Sequence, residues 1–432
     1  MVAAPLCPNV SGESRRDGPK RTLRQPVAFF CLAFAALLIS GASVQSQSTK
    51  PAKFELVRMA EHREQVSSWY RSHAFPNSFI AVTEASIWRV ENDVWRKLDL
   101  PTGQVMTILS RGGRYVGVAR WAQDGNVSDR TLIIEVYTSE AVKRFTLQHG
   151  VAYDEGVPSM LLSDDEGALV LGLAPIGRIL FHDANGALRR QVDLFPGASY
   201  DLERTLHLDL SDNGLWLAAV AGQRGAAPPG SAAPDPSARP HVFYFSRTGE
   251  ERWRVVLRGQ SGLQVAISPD GEFVAAGSYS VQKEGTVSKS TVIFDKEGKQ
   301  LGENDFLFKR AAFSADSKRL LLAENSRAAV VALPSGRILW TAKISRREGM
   351  IAGVRILNQG LLAALLVARS EYTSSGFLFI NPILKLYGPA GALQQEHGFP
   401  EQTFAHPGLF FSEDQRTLFV RFRRATYWYE AR

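Results

Sequence analysis

Short apolar runs separated by tight polar turns recur along most of this 432-residue chain. The clearest copy is QVAISPDGEFVAAGSYS (264–280), in which Ser-Pro-Asp-Gly lies between two apolar segments. Gly tolerates a positive φ, and Ser or Asp hydrogen-bonds to the backbone ahead of it, so this composition predicts a tight turn. The flanking Val, Ile, Phe and Ala residues indicate buried strands. Each copy is therefore predicted to be a β-hairpin.

Weaker copies of this hairpin return at intervals of 44–57 residues. A second strand–turn–strand unit follows most copies, as in VVALPSGRILWTAKI (330–344). Four consecutive strands in each repeat of about 50 residues predict the blades of a β-propeller. The copies align on Ser110, Ser163, Ser211, Ser268, Ser314, Asn358 and Ser412.

The repeats resemble those of the β-propeller superfamily, both the WD-repeat-like and the pyrroloquinoline-quinone-type members. SPDGEFVAAG is similar to the former, and PSGRILWTA and RTGEERWRV are similar to the outer hairpin of the latter, with Trp340 and Trp253 at the matching place. The resemblance covers roughly residues 75–432 and indicates no single family. We expect both tryptophans to pack between neighbouring blades, with quinone stacking as the alternative.

The predicted fold is all-β, a single β-propeller over residues 79–432 with seven four-stranded blades, six to eight being possible. Residues 79–100 are expected to complete the last blade; if they form most of a blade of their own, the number is eight. Residues 47–78 are predicted to be a lead-in segment, and 54–72 carries the only helical periodicity. Residues 221–240, rich in Pro, Gly and Ala, are expected to be a disordered loop.

The first 46 residues have the order of a secretory signal: a basic stretch, the apolar run VAFFCLAFAALLIS and then small polar residues. Cleavage is expected after Ala42 or Ser46. An uncleaved membrane anchor is the alternative, although the apolar run is short for a span. The protein is accordingly predicted to be secreted or periplasmic, or else anchored with the propeller outside the cytoplasm.

Charge and cysteine content exclude several classes of function. The net charge is +7, but residues 47–432 hold 45 basic and 41 acidic residues. This balance does not indicate the concentrated basic surface that nucleic-acid binding requires. Cys7 and Cys31 both lie in the targeting segment, so a mature chain would have no disulfide, thiol catalyst or cysteine zinc site. No motif for a cofactor, a metal or a catalytic residue is present, and no cofactor is expected.

One face of the predicted ring has the longer and more varied connections. If the strands of a blade are named A to D from the axis outwards, the A–B and C–D turns are short. The excess length lies between strands B and C, in 221–240, 280–290 and 368–382. These B–C connections share a face with the D–A links between blades, here called the B–C/D–A face. Loops on a rigid scaffold are where function concentrates.

The predicted function is a non-catalytic, protein-binding scaffold acting through this face as a monomeric domain, with membrane contact only if the apolar segment is uncleaved. The alternative is an enzyme at the channel mouth: a metal-assisted hydrolase or lactonase, or a quinone-dependent dehydrogenase. A sugar-binding module would use exposed aromatics, with Tyr153, Tyr200, Tyr372 and Phe404 as candidates. The predicted binding residues are His149, Tyr153, Asp154, Asp201, Arg204, His207, Arg346, Arg347, His397 and His406.

Overall fold

The computed structural model describes residues 53–432 apart from 63, 73–77, 92, 102–105, 123–128, 153–155, 199, 224–238, 282–284, 358–362, 374–375, 405–406 and 413. The described residues form strands and turns, and among them there is no helix that is long and apolar enough to cross a membrane. Their strands make eight antiparallel sheets of four strands, one of which carries a fifth, short strand. The sheets are called blades 1 to 8.

Strand β1 (Phe54–Glu61) belongs to blade 8, and the strands after it fill the blades in chain order. Blade 1 contains β2 (Val66–Ser72), β3 (Ser78–Thr83), β4 (Ile87–Glu91) and β5 (Val94–Leu98), and blade 2 contains β6 (Met106–Leu109), β7 (Tyr115–Trp121), β8 (Asp129–Thr138) and β9 (Lys143–Ala152). Blade 3 contains β10 (Ser159–Leu162), β11 (Leu169–Leu173), β12 (Arg178–His182) and β13 (Leu188–Asp193), and blade 4 contains β14 (Arg204–Leu210), β15 (Trp216–Gln223), β16 (His241–Ser246) and β17 (Glu251–Val256).

The other four blades follow the same meander, with β30 attached to β28 and with β1 completing blade 8. Blade 5 contains β18 (Ser261–Ile267), β19 (Phe273–Val281), β20 (Val287–Asp295) and β21 (Gln300–Asn304), and blade 6 contains β22 (Arg310–Phe313), β23 (Arg319–Ala323), β24 (Arg327–Ala332) and β25 (Ile338–Lys343). Blade 7 contains β26 (Met350–Ile356), β27 (Ala363–Thr373), β28 (Gly376–Tyr387), β29 (Leu393–Gly398) and β30 (Gln402–Thr403), and blade 8 contains β31 (Gly408–Phe411), β32 (Thr417–Arg421) and β33 (Ala425–Ala431) together with β1.

A hydrophobic cluster lies between every two neighbouring blades, so the sheets close into a ring. The second strand of each blade is largely buried on both faces, as in β11, β23 and β32, because each face packs against another blade. The β-propeller prediction is confirmed, with a blade number at the upper end of the expected six to eight. Going round the ring, pairs that share a cluster are Ile80 and Val116, Leu132 and Leu171, Phe181 and Leu217, Val220 and Val274, Ala275 and Leu320, Leu321 and Val354, Leu366 and Leu418, and Phe419 and Phe79.

The recurring serine shapes the A–B turn. In blade 5 the Ser268 hydroxyl donates to the Asp270 carboxylate (2.7 Å) and accepts the Phe273 N–H (2.9 Å). Gly271 has φ +83° and donates its N–H to the Ser268 carbonyl. A buried serine whose Oγ accepts the N–H five residues later recurs at Ser110, Ser163, Ser211, Ser314 and Ser412.

The two tryptophans pack between blades, as predicted. Trp253 lies in the cluster between blades 4 and 5, and its indole N–H donates to the Lys296 carbonyl of blade 5 (2.9 Å). Trp340 stacks on Tyr387 of blade 7, with ring centroids 5.6 Å apart. Both rings lie against a positive-φ glycine of the next blade's C–D turn, Gly298 and Gly391 respectively.

The ring closes at a seam where the predictions need correction. The outer strand of blade 8 is β1, paired antiparallel with β33 from Phe54 opposite Ala431 to Glu61 opposite Ala425. Residues 79–100 instead form most of blade 1, the eighth-blade alternative. The helical interpretation of 54–72 is wrong, because pairing with the distant C-terminal strand overrides local propensity. The propeller therefore starts within the segment 47–78 that was expected to be a lead-in.

Candidate functional site

The B–C/D–A face is most elaborate at blade 7. Strands β27 and β28 continue past the end of β26, whose pairing with β27 stops where Met350 lies opposite Ala368. Beyond that point the two strands still pair, as far as Thr373 opposite Gly376. The segment 368–382, predicted from sequence as a loop, is thus a projecting hairpin, here called the blade 7 hairpin.

Packing and backbone hydrogen bonds brace the base of this hairpin. Phe379 is buried against Ala352 and Ala368. Strand β30 of the D–A link pairs with β28 at Phe379 and Ile380, and the Asn381 N–H donates to the Glu401 carbonyl (2.9 Å). The hairpin is therefore held in a fixed direction by its own blade.

The tip of the hairpin exposes two aromatic rings. The Tyr372 side chain is 80% exposed and that of Phe377 is 58% exposed. Their ring centroids lie 5.3 Å apart at an interplanar angle of 70°, an edge-to-face pair. Tyr372 and Phe377 are direct cross-strand partners, so their contact contributes to pairing of the two strands. Most of the surface of both rings is nevertheless left open to solvent, where it can contact a partner.

Other apolar side chains are exposed on the same face. Within the described residues, the aromatic side chains with more than a third of their surface exposed all lie in its B–C connections or D–A links, and aliphatic ones accompany them. Three of the four aromatics proposed for sugar binding are among them, and Tyr153 lies outside the described residues. The set is Tyr200, Tyr372, Phe377 and Phe404, with Val157, Leu202, Val281 and Val287.

The predicted histidines are spread over the ring. His149 lies on β9 and His397 on β29, the outermost strands of blades 2 and 7, whereas His207 lies on β14, the innermost strand of blade 4. All three are in strands rather than in the predicted links. Burial lowers the pKa of His207 and His397. His406, with Tyr153 and Asp154, lies outside the described residues.

The remaining predicted residues stand in two D–A links. Asp201 and Arg204 share a turn before β14, in which the Arg204 N–H donates to the Asp201 carbonyl (3.1 Å). The Arg204 guanidinium is buried and donates to the Pro175 carbonyl (2.8 Å), so it ties two connections together. Arg346 and Arg347 are exposed in the link between blades 6 and 7.

Two clefts contain residues that sequence reasoning missed. One, of about 410 Å³, lies between blades 2 and 3 and is lined by His149 and His182. Burial lowers the pKa of His182, and the charge of His149 lowers it further. The other, of about 440 Å³, lies at the seam and is lined by His62, Glu401 and others. Nowhere in the described part of the chain do three or more metal-binding side chains come together.

A polar cluster on the opposite face was also missed. Arg111, in the A–B turn of blade 2, donates to the carbonyls of Leu210 (2.9 Å) and Ile267 (3.3 Å), which belong to blades 4 and 5. It also forms ion pairs with Asp209 and Asp212. This arginine links three blades of the ring, which indicates a structural role.

Comparisons with known proteins establish the fold. No protein-family profile and no curated protein matches the chain. Among solved structures, the chain is similar to the Dos1 propeller, with a TM-score of 0.55 and 13% identity over 87% of this chain and 95% of that one. It is also similar to the C-terminal WD40 domain of Sif2, with a TM-score of 0.52 and 10% identity over 87% of this chain and 98% of that one. The chain thus has the β-propeller fold of these structures, one of which is a WD40 domain, and the quinone-type likeness stays a prediction.

Proposed function

We propose that this protein is an exported, non-catalytic scaffold that binds a partner protein through its B–C/D–A face. The observation that carries the proposal is the gathering of the exposed aromatic side chains on that face, with Tyr372 and Phe377 at the tip of a braced hairpin. Rigid aromatic anchors supply contact area at low entropic cost and are enriched at protein interfaces.

The surrounding side chains favour a protein partner over a sugar. Aliphatic residues, among them Leu202, Val281 and Val287, lie exposed on the same face as the aromatics. Their surface would gain from contact with apolar side chains of another protein, whereas sugar hydroxyls would leave it poorly covered. The sugar-binding alternative therefore has weaker support.

The placement of the histidines favours binding over catalysis at the channel mouth. A metal-assisted enzyme needs ionisable side chains that converge on one point. His149 and His397 lie on outermost strands of different blades and His207 on an innermost strand of a third, so these three do not form such a group.

The binding test is affinity capture with the tagged full chain from an extract of its host, quantified by mass spectrometry. We expect a stoichiometric partner that is lost when Tyr372→Ser and Phe377→Ser are combined. The matched control is Leu188→Ser with Leu393→Ser, two exposed apolar residues on outermost strands, and it should keep the partner. A partner retained by the hairpin variant, or lost equally from both, would contradict the proposal.

Export is tested separately by sequencing the N-terminus of the protein purified from the envelope or medium. A new N-terminus after Ala42 or Ser46 supports export with cleavage. An intact N-terminus in a membrane fraction supports the anchor, and recovery of the full chain from the cytoplasm would overturn export.

A further inference from the structure

The seam between blades 8 and 1 contains a deeply buried arginine. Arg421 is the last residue of β32, and its side chain is only 2% exposed. Its guanidinium lies against the rings of Phe79 (3.6 Å to the centroid) and Trp69 (4.3 Å), both from blade 1. Aromatic faces stabilise a cation but accept no strong hydrogen bonds from its N–H groups.

The N–H groups on the edge of this guanidinium are unsatisfied. Within the described parts of the chain, Nε and Nη1 of Arg421 are buried and have no hydrogen-bond partner. The carboxylate whose charge acts on it, Asp93, is already bound by Arg58 at 2.5 Å. Burying a cation without a hydrogen-bonded counter-charge is strongly unfavourable, so such a group calls for an ion or water.

The charge state of the site follows from the same burial. Burial lowers the pKa of Arg421 to about 9, so the guanidinium remains charged at neutral pH. Burial and the charge of Arg421 lower the pKa of neighbouring His62 to about 4, so this imidazole is neutral there. Arg421 is then the cation that needs a counter-ion.

The cleft at the seam lies beside this region, although Arg421 is not one of its lining residues. His62 is one of its lining residues, and the His62 ring packs on Trp69, which also contacts the guanidinium of Arg421. Glu61 and Glu401 also line the cleft and disfavour a large or multiply charged anion.

We propose that the seam binds one small monovalent anion, of the size of chloride, on the edge of the Arg421 guanidinium. The anion supplies the missing acceptor at the place where the first and last strands close the ring. It acts as a structural ligand that stabilises the closed propeller. The neighbouring cleft, lined by His62 of a D–A link and Arg424 of a B–C turn, opens on the B–C/D–A face.

The test is thermal unfolding of the full chain at constant ionic strength, with chloride replaced stepwise by gluconate, a much larger monovalent anion. We expect a saturable rise in Tm of about 3 °C with chloride, because a ligand that binds only the folded state stabilises it. The rise should vanish in Arg421→Met and persist in the control Arg424→Met, whose arginine is exposed at the cleft. A Tm that does not respond to chloride, or an equal response in Arg421→Met, would overturn the proposal.

A second measurement keeps the test independent of the folding of Arg421→Met. Crystals of the wild-type chain grown in bromide should show an anomalous peak within hydrogen-bond distance of the Arg421 guanidinium. Ordered water there without an anomalous peak would contradict anion binding.

Discussion

At the scale of single residues, positive-φ glycines let neighbouring blades approach each other. Gly298 has φ +81°, and a Cβ there would lie 2.9 Å from the Trp253 ring of the blade before it. Gly285, in the same blade, has φ +78°, but a Cβ there would meet nothing within 4 Å. Substituting each of these two glycines with alanine therefore compares the cost of backbone strain alone, at Gly285, with the cost of strain plus a steric clash, at Gly298.

We predict that Gly298→Ala lowers the free energy of unfolding by about 2–3 kcal/mol, because it adds a clash to the strain. Gly285→Ala should cost about 1 kcal/mol from strain alone. Chemical denaturation of both variants measures the difference. If both variants lose the same free energy of unfolding, the Trp253 ring moves aside without a measurable energetic penalty and the prediction is wrong.

Histidine 62 makes stability depend on pH. Its pKa is about 4 in the folded protein, below the ordinary value of 6.5, mainly because it is buried. The unfolded chain binds more protons between these values, so stability is lost as pH falls from about 6.5 towards 4. After allowance for solvent screening of this partly exposed ring, the loss from this residue is on the order of 1–2 kcal/mol. Denaturation of the wild type and of His62→Gln across this range should show a smaller pH dependence in the variant, and parallel curves would contradict it.

The local signals in the sequence were sufficient for the turns and insufficient for long-range partners. Ser268, Asp270 and Gly271 shape one turn within four residues, so their pattern is visible in sequence. Arg111 instead meets carbonyls 99 and 156 residues away, and Arg421 is buried by a different blade. No local pattern indicates such contacts, and both residues were missed.

At the scale of elements, the blade 7 hairpin depends on its base. The sequence indicated extra length between strands B and C of this blade and named exposed Tyr372, but it did not show that the excess is paired strand. The bracing comes from β30 in the following link and from Phe379, neither of which carries a repeat signature.

We predict that Phe379→Ala frees the hairpin from its blade, because the variant loses the buried ring between Ala352 and Ala368. Hydrogen exchange of the backbone amides in 369–373 should become at least tenfold faster while other blades keep their protection. Tyr372→Ala, which removes an exposed ring, is the control and should leave exchange at the hairpin base unchanged. Uniform protection in Phe379→Ala would mean that β30 alone holds the hairpin.

At the scale of the whole molecule, blade 1 explains why the number of blades was underpredicted. Its A–B connection spans residues 73–77, where the sequence reads HAFPN and lacks the serine found in six of the other A–B turns. Without that turn signal the first blade could not be aligned with the other repeats. Closure by β1 was missed because its pairing with β33 joins opposite ends of the chain.

We predict that a chain lacking residues 1–61 has a lower midpoint of thermal unfolding and aggregates, because β33 becomes an unprotected edge strand. A chain lacking only residues 1–46 keeps β1 and should match the full chain. Light scattering during thermal unfolding compares the two. Identical behaviour would show that β1 contributes little to closure.

The seam also has a consequence for biosynthesis. The ribosome makes β1 more than 360 residues before the β33 residues that pair with it. Strand β1 therefore has no pairing partner until β33 has been synthesised. During that time Leu56, Val57 and Met59, which stay exposed even in the finished ring, have no partner strand beside them. Ring closure therefore cannot precede the synthesis of β33, and a chaperone that shields β1 would act while the intervening blades are being made.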